Sequence, residues 1–173
     1  GRNNSGKTSL TEVFDKFLGE HVGAFRLEDF SAAVRSHFVT AKATRDAVDS
    51  QPEVVLAALP RISLTLTFTY DDAEADLGLL SPFIIDLDPA CTSAIALIEY
   101  SCSLNKLAPL LDLPDYEAGA PNANELLFRH LREAIPTAYS IKCFAIDPTD
   151  ANNRRAVDGT AELKSLLHTR FVK

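Results

Sequence analysis

Residues Gly1 to Thr8 read G-R-N-N-S-G-K-T, a complete G-x-x-x-x-G-K-[ST] string, and few eight-residue patterns restrict a fold so tightly. The glycines let the backbone curl into a concave row of N–H donors around phosphate oxygens. Lys7 is placed to reach the β- and γ-phosphates, and the Thr8 hydroxyl to complete the shell of a Mg²⁺ ion. Such a loop joins a buried strand to a helix whose N-terminus faces the anion. No residue precedes Gly1, so the pattern predicts an upstream portion of about 20–40 residues that carries the strand. The chain then reads as a piece of a larger protein. The competing description is a Gly/Asn/Ser-rich helix N-terminus with a solvated lysine.

The residues after the octapeptide fit the helix half of that arrangement. Leu10, Val13, Phe14, Phe17 and Leu18 fall at i, i+3, i+4, i+7 and i+8, one apolar stripe, and Gly19 is placed to end it in a left-handed cap. A second helical region is expected over 31–48. Ser31 is its candidate N-cap, and Phe30, Ala33, Val34, His37, Phe38 and Ala41 mark its buried side. A short apolar stretch from Val54 to Leu59 ends at Pro60.

Period-two patterning then takes over. Ile62, Leu64, Leu66, Phe68 and Tyr70 alternate with Ser63, Thr65, Thr67 and Thr69, which predicts an antiparallel strand with one polar face, ended by Asp71 and Asp72. A second strand is expected over 93–103, with Ala94, Ala96, Ile98, Tyr100 and Cys102 on one side. A third covers 139–147 and is closed by Pro148. Short helices are expected over 77–85, 104–111 and 124–135. In the last, Leu127, Leu131 and Ala134 form the apolar stripe and Pro136 is the stop. A final helix over 161–168 precedes an extended Thr169–Lys173. Residues 118–124 form the one loop rich in turn formers. The fold class is therefore α+β, a mixed α/β chain of antiparallel strands with flanking helices. One domain-sized fragment spans 1–173: phosphate loop and helix over 1–19, helical segment over 20–60, antiparallel sheet with helices over 61–173.

The 173 residues are 46% apolar and 24% charged, which suits a packed globular chain. A formal charge of −7 leaves no overall basic footprint for nucleic acid. Cys91, Cys102 and Cys143 lack metal-ligand spacing and read as reduced, mostly buried thiols. No apolar run is long enough for a membrane span and no signal-peptide pattern opens the chain, so a cytoplasmic location is expected.

Hydrolysis requires acids beyond the phosphate loop. Phe83-Ile84-Ile85-Asp86 and Phe144-Ala145-Ile146-Asp147 superficially resemble an apolar strand ending in a Mg²⁺-binding Asp, yet each also reads as an ordinary strand or turn terminus. Asp86 and Asp88 form a D-x-D pair with no third ligand, and a turn before Pro89 describes them as well. His21, His37, His130 and His168 are scattered and pair with no Cys or Ser; they read as surface or half-buried side chains. Arg154 and Arg155, after Asn152 and Asn153, read as a solvated polar loop. No catalytic residue is assigned.

Taken together, these segments resemble a known family. G-R-N-N-S-G-K-T-S-L-T-E at Gly1–Glu12 resembles the phosphate loop and helix of ABC-type (AAA) ATPase heads related to RecF and SMC proteins. Within that group it is most similar to the OLD-family (overcoming lysogenization defect) ATP-dependent endonucleases. Leu27-Glu28-Asp29-Phe30-Ser31, the strand Ile62–Tyr70 with Leu77–Pro89, and A-I-D-P-T-D-A-N-N-R-R at Ala145–Arg155 extend the likeness over nearly the whole chain. The resemblance implies a partial P-loop NTPase head of ABC type. In it Asn4, Gly6, Lys7, Thr8 and Ser9 surround ATP, and Thr8 meets the Mg²⁺ through the nucleotide. It also implies a parent that dimerises head to head around ATP and acts on DNA through a Toprim nuclease domain elsewhere in its chain. The signature motif, second acidic motif and Toprim acids of the family are missing from these residues.

Two further readings compete. A small P-loop kinase would use Arg154 and Arg155 as lid arginines, but the alternating strand is wrong for a parallel core. A non-enzymatic interaction or assembly module would leave Lys7 solvated. The guanine-reading N-K-x-D pattern starts at Asn105-Lys106 and fails at Ala108.

Overall fold

A computed structural model describes residues 2–70, 77–85, 88–158 and 160–171; the side chains of 2–9, 77, 79 and 168–171 lie outside that description. The elements run α1 (Arg2–Leu18), α2 (Ala32–Asp46), α3 (Pro52–Ala58), β1 (Ile62–Thr69), α4 (Leu77–Leu80), β2 (Ser93–Cys102), α5 (Leu107–Leu111), α6 (Ala123–Ala138), β3 (Tyr139–Asp147), β4 (Asp150–Val157) and α7 (Ala161–Phe171). The architecture is mixed α/β, with a four-stranded antiparallel sheet in the order β1-β2-β3-β4. Two compact units divide the chain, one formed by Gly1–Val22, Ser63–Glu99 and Lys142–Lys173, the other by Gly23–Ile62 and Tyr100–Ile141.

Period-two patterning places three of the strands correctly. In β1, Ser63, Thr65, Thr67 and Thr69 are exposed while the alternate positions are half-buried or buried. Ala94, Ala96, Ile98, Tyr100 and Cys102 of β2 are buried as expected. Asp71 and Asp72, expected to end β1, lie outside the described residues. The fourth strand corrects the expectation of a polar loop at Asn152–Arg155. Residues 150–156 are exposed throughout, so β4 has no apolar face to announce it. Backbone pairing with β3 holds it instead, with Cys143 opposite Val157 and Ile146 opposite Arg154. Asp147 then pairs with Asp150, so residues 151–153 bulge out of the ladder.

The helices bring several corrections. α1 ends at Gly19, but not through a left-handed cap: among the described glycines only Gly23 and Gly119 have positive φ. The Asp15 carboxylate closes the end instead, accepting the Glu20 N–H at 2.9 Å and meeting His21 Nδ1 at 2.6 Å. A β-carbon at Gly19 would collide with that carboxylate, so glycine is needed there for close approach. The apolar stripe of α1 is buried only at its end: Phe17 is 0% exposed, while Leu10 is 60% and Phe14 38% exposed.

In α2 the Ser31 hydroxyl caps the helix by accepting the Val34 N–H. Phe38 and Ala41 are buried as expected, but Ala33 and His37 are exposed and Lys42 is buried in their place. The buried face is rotated toward positions 38, 41 and 42, since the aliphatic stem of Lys42 packs as an apolar residue would. Pro136 does not stop α6, which continues to Ala138. Proline removes only one ladder bond there, and the Tyr139 N–H closes the end on the Ile135 carbonyl. The helix expected over 77–85 is α4 followed by a 3-10 turn at Ser81–Phe83, where Pro82 interrupts the α ladder. That expected over 104–111 likewise opens as a 3-10 turn at Leu104–Lys106 before α5. Thr169 to Phe171 are helical rather than extended, because the α7 ladder runs past His168; residues 172 and 173 lie outside the description.

Aromatic packing fills the interior of the second unit. Phe25 stacks on Tyr100 with ring centroids 4.6 Å apart, Tyr100 meets Tyr139 at 5.2 Å, and Phe30 sits edge-on to Phe38 at 5.2 Å. Both phenols bond to backbone: Tyr139 donates to the Pro60 carbonyl at 2.9 Å and Tyr100 to that of Ile135 at 3.5 Å. Burial pushes the Tyr100 phenol up to about 12 and raises that of Tyr139 further. In the first unit, α4 packs on α7, where Leu163 and Leu166 are fully buried.

Candidate functional site

The octapeptide lies along the first turns of α1, whose backbone is helical from Arg2 onward. Asn4, Gly6, Lys7, Thr8 and Ser9 therefore share one helix rather than a loop and a helix start, and their side chains lie outside the described residues. Residues 2–9 contain no proline, so nothing blocks i→i−4 bonding of their amides, although Asn3, Asn4, Ser5 and Gly6 are weak helix formers. In such a helix only the first four N–H groups are unpaired. The amides of Gly6 to Ser9 are turned into the helix's own ladder.

The acids proposed as Mg²⁺ partners prove to be turn residues where they can be described. Asp147 Oδ1 accepts the Thr149 N–H and the Thr149 hydroxyl, both at 2.8 Å, while Oδ2 accepts Asn153 Nδ2 at 3.0 Å. These donors, the Thr149 N–H first, hold its carboxyl below the usual carboxylate range. That is an Asx-type turn that folds β3 back into β4. Asp88 does the same on a smaller scale, accepting the Ala90 N–H at 2.9 Å. Asp86, its partner in the D-x-D pair, lies outside the described residues. Among the described residues no group of three His, Cys, Asp or Glu is arranged to hold a metal ion.

The remaining candidates are accounted for by neighbours. Arg154 lies over the Phe144 ring at 4.7 Å, and Arg155 donates to the Pro82 carbonyl at 2.7 Å. His21 is exposed beside Asp15, His37 is exposed, and half-buried His130 meets the Pro109 carbonyl through Nε2 at 2.9 Å; the His168 side chain lies outside the description. Cys102 and Cys143 are buried thiols and Cys91 is half-buried. Burial pushes the Cys143 thiol up to about 11.

Sequence reasoning missed two features of the second unit. One is an open groove of about 470 Å³, lined by Arg45, Pro52, Glu53, Leu104, Asn105, Leu107 and Ala108. No sequence signal marks it, since it forms where α3 meets α5 and the turn before it. Arg45 on its wall is held by a two-pronged bond to Asp112, with Nε–Oδ1 2.9 Å and Nη2–Oδ2 3.1 Å. The other is Lys42, 3% exposed, with its ammonium 2.7 Å from Asp46 Oδ1 and 4.8 Å from the centre of the Tyr116 ring.

The Arg45 guanidinium holds the Asp112 carboxyl below its ordinary value of 3.8. A depressed folded-state pKa adds stability above the unfolded value and loses it as pH falls through the folded one. Asp112→Asn is therefore expected to cost about 0.5–1 kcal/mol at pH 7, the range for an exposed but well-aligned pair. The cost should fall away as pH drops through the lowered folded-state value. Urea unfolding at pH 7 and along an acid series checks this; a loss that stayed constant with falling pH would mean that the ion pair is not its source.

No protein-family model, curated protein or solved structure matches the chain. No helix of the described residues is long and apolar enough to cross a membrane.

Proposed function

We propose that this chain is the ATP-binding lobe of an OLD-like, ABC-type ATPase, catalytically incomplete by itself. One observation carries the reading: a full G-x-x-x-x-G-K-T string opens the chain, and from Arg2 onward its residues form the first turns of a helix, α1. An antiparallel sheet with flanking helices is also the layout such a head carries beside its nucleotide core. The donor set fits a Mg-nucleotide chemically, with an ammonium at Lys7, hydroxyls at Thr8 and Ser9, and an amide at Asn4. Bound ATP would supply the free energy of its own cleavage; these residues bind and orient it. Lys7 neutralises phosphate charge, Thr8 and Ser9 offer oxygens to the Mg²⁺ shell, and Gly6 permits close backbone approach. Because the amides of Gly6 to Ser9 are tied into the α1 ladder, cradling phosphate requires the first turns of α1 to open. In the parent protein, closure of two heads about ATP would couple to DNA processing by a nuclease domain outside these residues.

The test uses the protein that carries this chain. Lys7→Ala should weaken Mg-ATP binding about ten- to a hundredfold, the worth of a charge-assisted contact to phosphate. Calorimetric titration reads it, and unchanged affinity would remove the basis for the proposal.

A further inference from the structure

The two edges of the sheet are built differently. β4 is short of regular pairing: residues 151–153 bulge away from β3, and two arginines follow directly. Bulges and charges of this kind keep an edge from pairing with another chain. β1, at the opposite edge, carries no such charges. Its eight residues, I-S-L-T-L-T-F-T, contain no charge, proline or glycine, and among the described residues no strand lies on its outer side.

The backbone groups available there can be assigned. The Tyr70 N–H donates to the Thr92 carbonyl at 2.9 Å, so Tyr70 turns its backbone toward the β2 side. Alternation along an antiparallel ladder then turns the N–H and C=O of Ser63, Thr65, Thr67 and Thr69 away from β2. These are also the positions whose side chains are exposed.

We infer that β1 pairs antiparallel with β1 of a second copy of this chain, joining two four-stranded sheets into one. Two-fold symmetry normal to the sheet allows only registers in which residues of like parity face each other. The registers centred on Thr65 and on Leu66 overlap equally, seven residues each, and only the second pairs all four outward-facing residues 63, 65, 67 and 69 with one another. It sets Thr65 opposite Thr67, Ser63 opposite Thr69 and Leu64 opposite Phe68, so hydroxyls meet hydroxyls and apolar side chains meet apolar ones, the favourable cross-strand pairs. The interaction needs neither nucleotide nor Lys7, and it stands or falls apart from the ATP-binding proposal.

Sedimentation equilibrium of the full chain over about 1–500 µM tests it, since a contact of one strand's size gives an interface of micromolar strength or weaker. In the absence of nucleotide the wild type should approach twice the monomer mass at the top of that range, and Lys7→Ala should match it. The double variant Thr65→Lys/Thr67→Lys sets lysines opposite lysines and should remain a monomer throughout. Thr65→Glu/Thr67→Lys sets each new carboxylate opposite a new ammonium and should tighten the dimer about tenfold. Both substituted positions are exposed, and circular dichroism confirms that each variant is folded. A monomeric wild type, growth beyond a dimer, or equal behaviour of the two double variants would each overturn the inference.

Discussion

Phe38→Ala is expected to remove about 3–5 kcal/mol of stability, the cost of emptying a fully buried aromatic site. Phe38 is 0% exposed, edge-on to Phe30 at 5.2 Å and tilted against Tyr139 at 6.4 Å. These rings come from the turn before α2, the middle of α2, and the first residue of β3, so no single element can move to close the gap. Phe14→Ala is the control. It sits on the apolar stripe of α1 just as Phe38 sits on that of α2, yet it is 38% exposed and should cost about 1 kcal/mol or less. Urea unfolding followed by near-ultraviolet circular dichroism reads the Phe38 loss directly, since Tyr100, Tyr116 and Tyr139 all lie in the same unit. Unfolding at the amide wavelengths serves for Phe14. Equal losses in the two variants would show that helical periodicity alone had ranked these residues.

That contrast marks how far the sequence could be read. A strand with one buried face writes itself as alternation, so β1, β2 and β3 were legible to within a residue of their ends. β4 was not, because backbone bonds to β3 hold it and its side chains bury nothing. Helix existence was legible from the three-four spacing except at α3, which read only as a short apolar stretch over Val54–Leu59, and the buried face of α2 was not legible. Lys42 counts as polar in any pattern, although its stem packs like leucine's. Gly19 marked the end of α1 for a reason the sequence does not reveal, a close approach by Asp15 in place of a left-handed turn. For the candidate site the position is reversed. The octapeptide is the sharpest signal in the chain, while the structure adds a helical backbone there and leaves the side chains outside its description. Asp147 was ambiguous as text, and its three hydrogen bonds make it a turn-former. The groove beside Arg45 depends on how separate segments meet, which no local pattern encodes.

The second large effect concerns the buried ammonium of Lys42. Removing its partner by Asp46→Ala leaves a cation with 4% of its side chain exposed and the Tyr116 ring as its neighbour. Breaking a buried pair from one side costs about 3–5 kcal/mol. Asp46 is itself 43% exposed, so water can replace part of what it supplies, and about 2–3 kcal/mol is the expected loss. Lys42→Met removes the charge along with the need to compensate it, and keeps an unbranched stem of similar length in the same packing. It should fall within about 1 kcal/mol of wild type in either direction. In the double variant Lys42→Met/Asp46→Ala, most of the loss from Asp46→Ala should disappear, because no buried cation remains to be left unpaired. Tyr116→Leu in the wild-type background should cost about 0.5–2 kcal/mol, the worth of a ring facing a partly desolvated cation, and much less once Lys42 is methionine. The ordering is decisive: the exposed acid matters more than the buried base, since what destabilises is a charge without a counterpart. Should Lys42→Met prove as damaging as Asp46→Ala, the pair would be holding the fold by attraction, and the view of Lys42 as a packed stem with a charge to be neutralised would have to be given up.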